Sequence, residues 1–189
     1  MTSNAPNPKE LGFIFPPEWA PHDATWFAWP HCEETWPGHL REAQTTIARS
    51  IVELTRSRKN QFLPERAELL VRNEAERDAA RAMLSFWDYQ PDRVGFHVIP
   101  TNDAWIRDYG PTFLVRDQVG TDDLDALAVV NWRFDGWGGK GATYYGHDDG
   151  LDDAVAETLA TALEVPIFDA NVVMEGGAFD HNGKGTLLT

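Results

Sequence analysis

The sequence predicts an α/β fold, and three observations point there. Short apolar runs of strand character alternate with segments whose apolar residues recur every three or four positions. Hydrophobic residues make up 42% of the chain and aromatic residues 12%, with eight Trp among them. That is ample material for a packed interior, and it excludes a disordered or collagen-like chain. The length of 189 residues suits one ordinary domain whose core needs no covalent staples.

Residues 1 to 12 hold Pro, Asn and Ser with little to bury, and read as a leader that orders only where it docks. From Phe13 the chain is expected to be structured. A strand over Ala24 to Trp29 precedes Leu40, Ala43, Ile47, Ile51 and Leu54, whose spacing puts one apolar stripe on a helix. The alternation recurs with a strand over Ala67 to Val71, a helix carrying Ala75, Ala79, Met83 and Phe86, and a strand from Val94 to Ile99 that Pro100 ends. Strands over Thr112 to Val115 and Ala126 to Phe134 follow. A third helix then carries Leu151, Val155, Leu159 and Leu163, with Asp148 and Asp149 at its start, where the helix dipole favours negative charge.

The segments Asn171 to Asp180 and Lys184 to Leu188 flank Asn182-Gly183, a dipeptide suited to a two-residue type I′ hairpin. The chain stops inside the second of these strands, whose apolar Leu187 and Leu188 would leave an unpaired edge unless something further covers it. The expectation is therefore the front part of a longer fold. Units of strands plus one helix, spaced by roughly fifty residues, suggest a repeated supersecondary block. No Pro- or Ser-rich linker divides residues 13–189, so no domain boundary is placed there.

With 16 Lys and Arg against 30 Asp and Glu, the net charge is −14. Such a field repels phosphate backbones and attracts cations, so nucleic acid is not an expected partner. A single cysteine, Cys32, cannot close an internal disulfide, which points to a reducing cytoplasm. The first residues lack a basic start followed by an apolar core, and no stretch approaches the ~20 apolar residues of a membrane helix.

The densest run of chemistry is Asn102-Asp-Ala-Trp-Ile-Arg-Asp-Tyr-Gly-Pro111, a connection between two strands. Asp108 and Trp105 stand three apart, and a carboxylate beside an aromatic face suits a planar cation, which pairs with the oxygens and stacks on the ring. The plainer reading pairs Asp108 with Arg107 and puts Trp105 in the core. A second run is Val172-Val-Met-Glu175-Gly-Gly-Ala, where Glu175 meets two glycines that let another backbone or a ligand come close. An exposed acid at a glycine bulge is the plainer alternative.

Gly136-Trp-Gly-Gly-Lys-Gly141 satisfies the spelling of a dinucleotide fingerprint, but no helix is expected at the glycines, and it reads as a flexible or ligand-lining loop. His22-Asp23, His31-Cys32, His39 and His147-Asp148 show no metal-ligand spacing and read as surface or turn histidines. Glu33 and Glu34 beside Cys32 oppose its thiolate, so an inert thiol is expected.

Together, Pro16-Pro-Glu-Trp19, Ala24-Thr-Trp-Phe-Ala-Trp-Pro30, Glu33-Glu-Thr-Trp-Pro37, Asn102-Asp-Ala-Trp-Ile-Arg-Asp108 with Gly110-Pro111, Trp137-Gly138 with Lys140, and Glu175-Gly-Gly177 with Gly185-Thr-Leu-Leu-Thr189 resemble the agmatine deiminase and bacterial-type peptidylarginine deiminase family. The resemblance runs from about Phe13 to the end and implies a partial α/β propeller of the pentein type, with ββαβ units repeated around a pseudo-fivefold axis.

It also implies hydrolysis of a guanidinium to a ureido group and ammonia through a cysteine-bound amidino intermediate, with a histidine moving protons and no cofactor or metal. By the same resemblance Asp108 grips guanidinium nitrogens, Trp105 forms a pocket wall, Glu175 orients the catalytic histidine, and Asn102 lies near the substrate. The family's catalytic histidine and cysteine have no counterpart here, since His181 follows Glu175 too closely and Cys32 lies in the wrong region. The expectation is half of a site on a chain inactive by itself. Agmatine is the first choice of substrate, giving N-carbamoylputrescine; peptidylarginine, giving citrulline, is the second. A homodimer is a further expectation. The readings from other classes are a noncatalytic guanidinium-binding or assembly module and a nucleotide-binding domain resting on the glycine run.

Overall fold

The computed structural model describes residues 6–56, 64–116, 126–146 and 149–189. They fall into two compact units, one made of residues 21–106 and 136–152, the other of residues up to 20 together with 107–135 and 153–189.

In the first unit, strands β1 (Ala24–Ala28), β2 (Arg66–Val71) and β3 (Val94–Val98) form a parallel sheet in that order, joined through helices α1 (Leu40–Thr55) and α2 (Glu74–Phe86). Parallel pairing requires long crossovers, and the two helices supply them. Alternate residues of β2 explain the packing: Ala67, Leu69 and Val71 join Ala48, Ile51 and Val52 of α1, Ala80 and Leu84 of α2, and Trp29 and Val94 in one apolar cluster. Asn73 caps α2, its side chain accepting the N–H of Glu76 at 2.9 Å.

The helix expected around Ala75, Ala79, Met83 and Phe86 exists, and Met83 packs against the core as expected, but Ala75, Ala79 and Phe86 face outward. Ala80 and Leu84 are buried, whereas Phe86 is 79% exposed. Alanines lie on several faces of this helix, so its spacing alone allows neighbouring stripes; the branched Leu84 decides the packing.

Glu68 projects from the opposite side of β2. His97 Nε2 lies 2.8 Å from its Oε2, and Arg66 Nε donates to Oε1 at 3.2 Å. A methyl at Gly95 would overlap this carboxylate, so the glycine makes its room. Burial raises the Glu68 pKa, but the hydrogen bonds and charges of His97 and Arg66 outweigh it, and the group titrates below its ordinary range. A carboxyl whose pKa is lowered on folding stabilises the fold above the unfolded value of about 4.3, and that contribution fades as pH falls through the folded value. Glu68→Gln is therefore expected to lower Tm near neutral pH, with the gap to wild type closing on acidification below about pH 4. Thermal melts across pH check it; a gap that persists in acid contradicts the assignment.

In the second unit, β4 (Thr112–Val115) pairs antiparallel with β5 (Leu127–Arg133), and β5 pairs parallel with β6 (Ile167–Val173) after helix α3 (Val155–Ala162). The order is thus ββαβ. Ile14 adds an antiparallel bridge to Val115. Val129, Ala160 and Val165 make one apolar cluster, and Phe13, Leu114 and Ala128 another, with Phe168 edge-on to Phe13 at 5.9 Å.

Three local expectations are corrected. The third helix begins at Val155 rather than near Asp149, and Asp148 lies outside the described residues. Asp153 instead accepts the N–H of Phe134 at 2.6 Å, and an Asp side chain committed to a distant amide competes with helix formation. The expected strand from Asn171 to Asp180 breaks: β6 ends at Val173, and a single 3₁₀ turn, Gly176–Ala178, precedes β7 (Asp180–His181). The hairpin between β7 and β8 (Leu187–Leu188) is not two-residue. Asn182 Oδ1 accepts from the N–H groups of Lys184 and Thr186 at 2.8 and 3.1 Å, and only Gly183 and Gly185 in that loop take positive φ. Among the described residues, no helix is long and apolar enough to cross a membrane.

Candidate functional site

The short helix Ile106–Tyr109, whose residues from Arg107 on belong to the second unit, leads into β4. Tyr109 is buried and meets Phe134 edge-on at 6.0 Å, which anchors the turn. Asp108 is half-buried. The plainer reading, an Asp108–Arg107 pair, does not hold, because Arg107 extends outward to an ion pair with Glu18.

Glu175 arrives from the far side of the sheet. Asn131 pairs with Asp169 and Arg133 with Val173, so β6 spends two extra residues as a bulge, with Asn171 at φ 55°. Bulges re-aim the chain, and pairing resumes with Met174 N–H donating to Arg133 O at 3.1 Å. Glu175, half-buried, follows in extended conformation.

The glycines after it show why that segment needs no side chains. A Cβ on Gly176 would overlap the carbonyl oxygen of Arg107, and one on Gly177 would overlap Asp108 Oδ1. Neither glycine has positive φ, so close approach, not backbone freedom, is what requires them. The structure thus brings Asp108 and the Glu175-Gly176-Gly177 segment together. Among the described residues, neither the Asp108 nor the Glu175 carboxylate has an ion-pair or hydrogen-bond partner. Two half-buried carboxylates left with free acceptor capacity can receive a cation carrying several N–H groups.

Asn102 and Trp105 belong to the first unit, in a cluster of their own. Asn102 is 2% exposed, and its carbonyl lies 3.0 Å from His31 Nε2, while His31 Nδ1 faces the Trp29 carbonyl at 2.9 Å. Trp105 donates its Nε1–H to buried Asp103 at 2.9 Å. Its ring lies parallel to Trp36 at 5.7 Å and edge-on to Trp137 at 6.3 Å.

Trp137 itself sits in a left-handed turn. Gly136, Trp137, Gly138 and Gly139 all have positive φ, and Lys140 N–H donates to Gly136 O at 2.8 Å. Glycine takes this conformation freely; a tryptophan there is strained, held by Trp105, Tyr144 and Tyr145 around it. A five-residue helix, Gly141–Tyr145, follows where a loop was expected. Sequence reasoning missed Trp36 and Asp103 as supports of Trp105, although both stand in the quoted motifs.

Cys32 is 4% exposed, with Sγ 3.4 Å from Glu34 Oε2 and 3.8 Å from the Tyr145 carbonyl oxygen. His22 is held by Glu65 at 3.0 Å and His39 lies 3.8 Å from Glu42. His147 and Asp148 lie outside the described residues.

A family model described as Porphyromonas-type peptidyl-arginine deiminase matches residues 14–189. This chain belongs to that family. Within it, the chain is 34% identical over 194 residues to an agmatine deiminase of Stutzerimonas stutzeri, covering 100% of this chain and 46% of the relative. Among solved structures, an agmatine deiminase of Enterococcus faecalis, described as catalysing its reaction, superposes with a TM-score of 0.74 at 28% identity, covering 98% of this chain and 46% of that one. A substrate-bound agmatine deiminase of C. jejuni shares the fold, with a TM-score of 0.71 at 23% identity over 94% of this chain and 45% of that one. The chain spans about half the length of the curated relatives it matches.

Proposed function

We propose that this chain carries the guanidinium-binding carboxylates of a guanidine deiminase, with agmatine as substrate and N-carbamoylputrescine and ammonia as products. One observation carries the reading: half-buried Asp108, without a side-chain partner among the described residues, packed against the glycines that follow Glu175. A guanidinium is planar, always charged, and offers parallel N–H pairs that a carboxylate accepts two at a time. Asp108 takes that role. Glu175 orients the histidine that moves protons, and Trp105 and Asn102 are further substrate contacts. Curated relatives bearing the name agmatine deiminase support agmatine over peptidylarginine.

In the proposed chemistry a thiolate attacks the central guanidinium carbon, a C–N bond breaks, and ammonia leaves with a proton from the histidine. Water then attacks the amidino carbon, the C–S bond breaks, and the thiolate is regenerated. Buried Cys32, beside a carboxylate and a carbonyl, is not that thiolate. The ββαβ order of β4, β5, α3 and β6 supports a fold built from such repeats about a pseudo-fivefold axis.

Because a net charge of −14 attracts every cation, affinity alone decides nothing. Calorimetric titration of agmatine against putrescine, a diamine of equal charge, isolates the guanidinium. Agmatine is expected to bind more tightly, and Asp108→Asn to weaken it by about 10- to 100-fold, the worth of a hydrogen bond to a charged group. Equal binding of the two amines, or an Asp108→Asn variant that binds agmatine as wild type does, contradicts the reading.

A further inference from the structure

We propose that Asp152 is a positioning residue, a buried carboxylate that ties the Asn102–Trp105 segment to the Trp137–Tyr145 segment and so sets the aromatic face that Trp105 presents. The proposal rests on the reading of Trp105 as a substrate contact.

Asp152 is 1% exposed, which is unusual for a carboxylate and costly unless its oxygens accept hydrogen bonds. Its Oδ1 accepts the backbone N–H of Asn102 at 2.7 Å, and its Oδ2 accepts the Tyr145 hydroxyl at 3.4 Å. The first bond is short, as expected of an amide donating to a charged acceptor, and joins residues 50 apart in sequence. Asn102 and Tyr145 are themselves buried, so the tie lies in the interior.

The rings beyond it then meet in register. Trp105 abuts Trp137 edge-on at 6.3 Å, and Trp137 abuts Tyr145 at 5.8 Å. Trp137 holds φ 59° and ψ 53°, a conformation that persists for a tryptophan only where the surroundings over-determine it. Fixing both flanking segments to one carboxylate is such a determination. Asp152 acts on Trp105 through its bonds to Asn102 and Tyr145.

The test compares Asp152→Ala with Asp152→Asn, reading hydrogen exchange at the Asn102 amide, the near-ultraviolet circular dichroism of the tryptophans, and agmatine affinity. In Asp152→Ala, Asn102 exchange is expected to quicken and agmatine affinity to fall, each by about tenfold or more, the loss of one charge-assisted bond. The amides of Leu69 and Leu70 in β2 stay protected. Asp152→Asn keeps an oxygen facing Asn102 and restores affinity to within about threefold of wild type, so that the readout survives if the alanine variant fails to fold. An alanine variant that binds agmatine as wild type does, or an asparagine variant that folds and fails to restore binding, overturns the inference. Absence of agmatine binding in the wild type overturns the reading of the site and this inference with it, whereas wild-type binding unchanged in Asp152→Ala overturns this inference alone.

Discussion

Gly176→Ala is expected to remove guanidinium binding and to destabilise the fold, while Gly177→Ala removes binding with little change in Tm. The two glycines face different atoms. A Cβ on Gly176 meets a backbone oxygen, that of Arg107, which moves only if the turn into Ile106–Tyr109 moves with it. Overpacking of this kind costs about 1–3 kcal/mol. A Cβ on Gly177 meets Asp108 Oδ1, the end of a side chain, which can rotate away. The cost in stability is then small, but the carboxylate leaves the position proposed to receive the cation. Neither position has the positive φ that would make alanine unfavourable for its own sake, so any loss reports on close approach. Melting curves and agmatine titrations on both variants separate the effects; wild-type affinity in Gly177→Ala contradicts the geometry.

The largest loss of stability is expected from Leu84→Ala. Leu84 is 0% exposed in the cluster that joins α1, α2 and β2, and truncating such a leucine costs about 2–5 kcal/mol. Domains of this kind have only about 5–15 kcal/mol in total, so the variant gives up a large share. Phe86, two positions on and 79% exposed, is the control: Phe86→Ala stays within about 0.5 kcal/mol of wild type. Denaturant titrations of the two variants decide which stripe of α2 faces the core.

Much of the fold was legible because period and element type go together. The spacing of Leu40 through Leu54 and the apolar runs around Leu69 and Val129 indicated α1, β2 and β5 to within a residue or two of their observed bounds. What the pattern left open was decided by particular side chains acting over long range. Asp153 bonds to Phe134 instead of starting a helix, Asn182 folds a hairpin loop around its own amide acceptor, and Leu84 with Ala80 turns Ala75, Ala79 and Phe86 of α2 away from the core.

At the candidate site, Glu175-Gly-Gly was legible as a place of close approach, because glycines beside a strand-end carboxylate have a steric reason to be there. That Arg107 and Asp108 are what approaches, and that Asp152 supports Asn102, depends on tertiary placement that local spacing does not encode. The left-handed turn at Trp137 was equally hidden, since a glycine run permits many conformations.

We propose that the junction of Asp108 with Glu175-Gly-Gly receives a guanidinium. A titration of isotope-labelled protein with agmatine, followed at every backbone amide by NMR and repeated with putrescine, tests it most directly. Saturable shifts centred on Arg107, Asp108, Gly176 and Gly177 are expected with agmatine and not with putrescine. Shifts spread over the acidic surface, or the same for both amines, would contradict it.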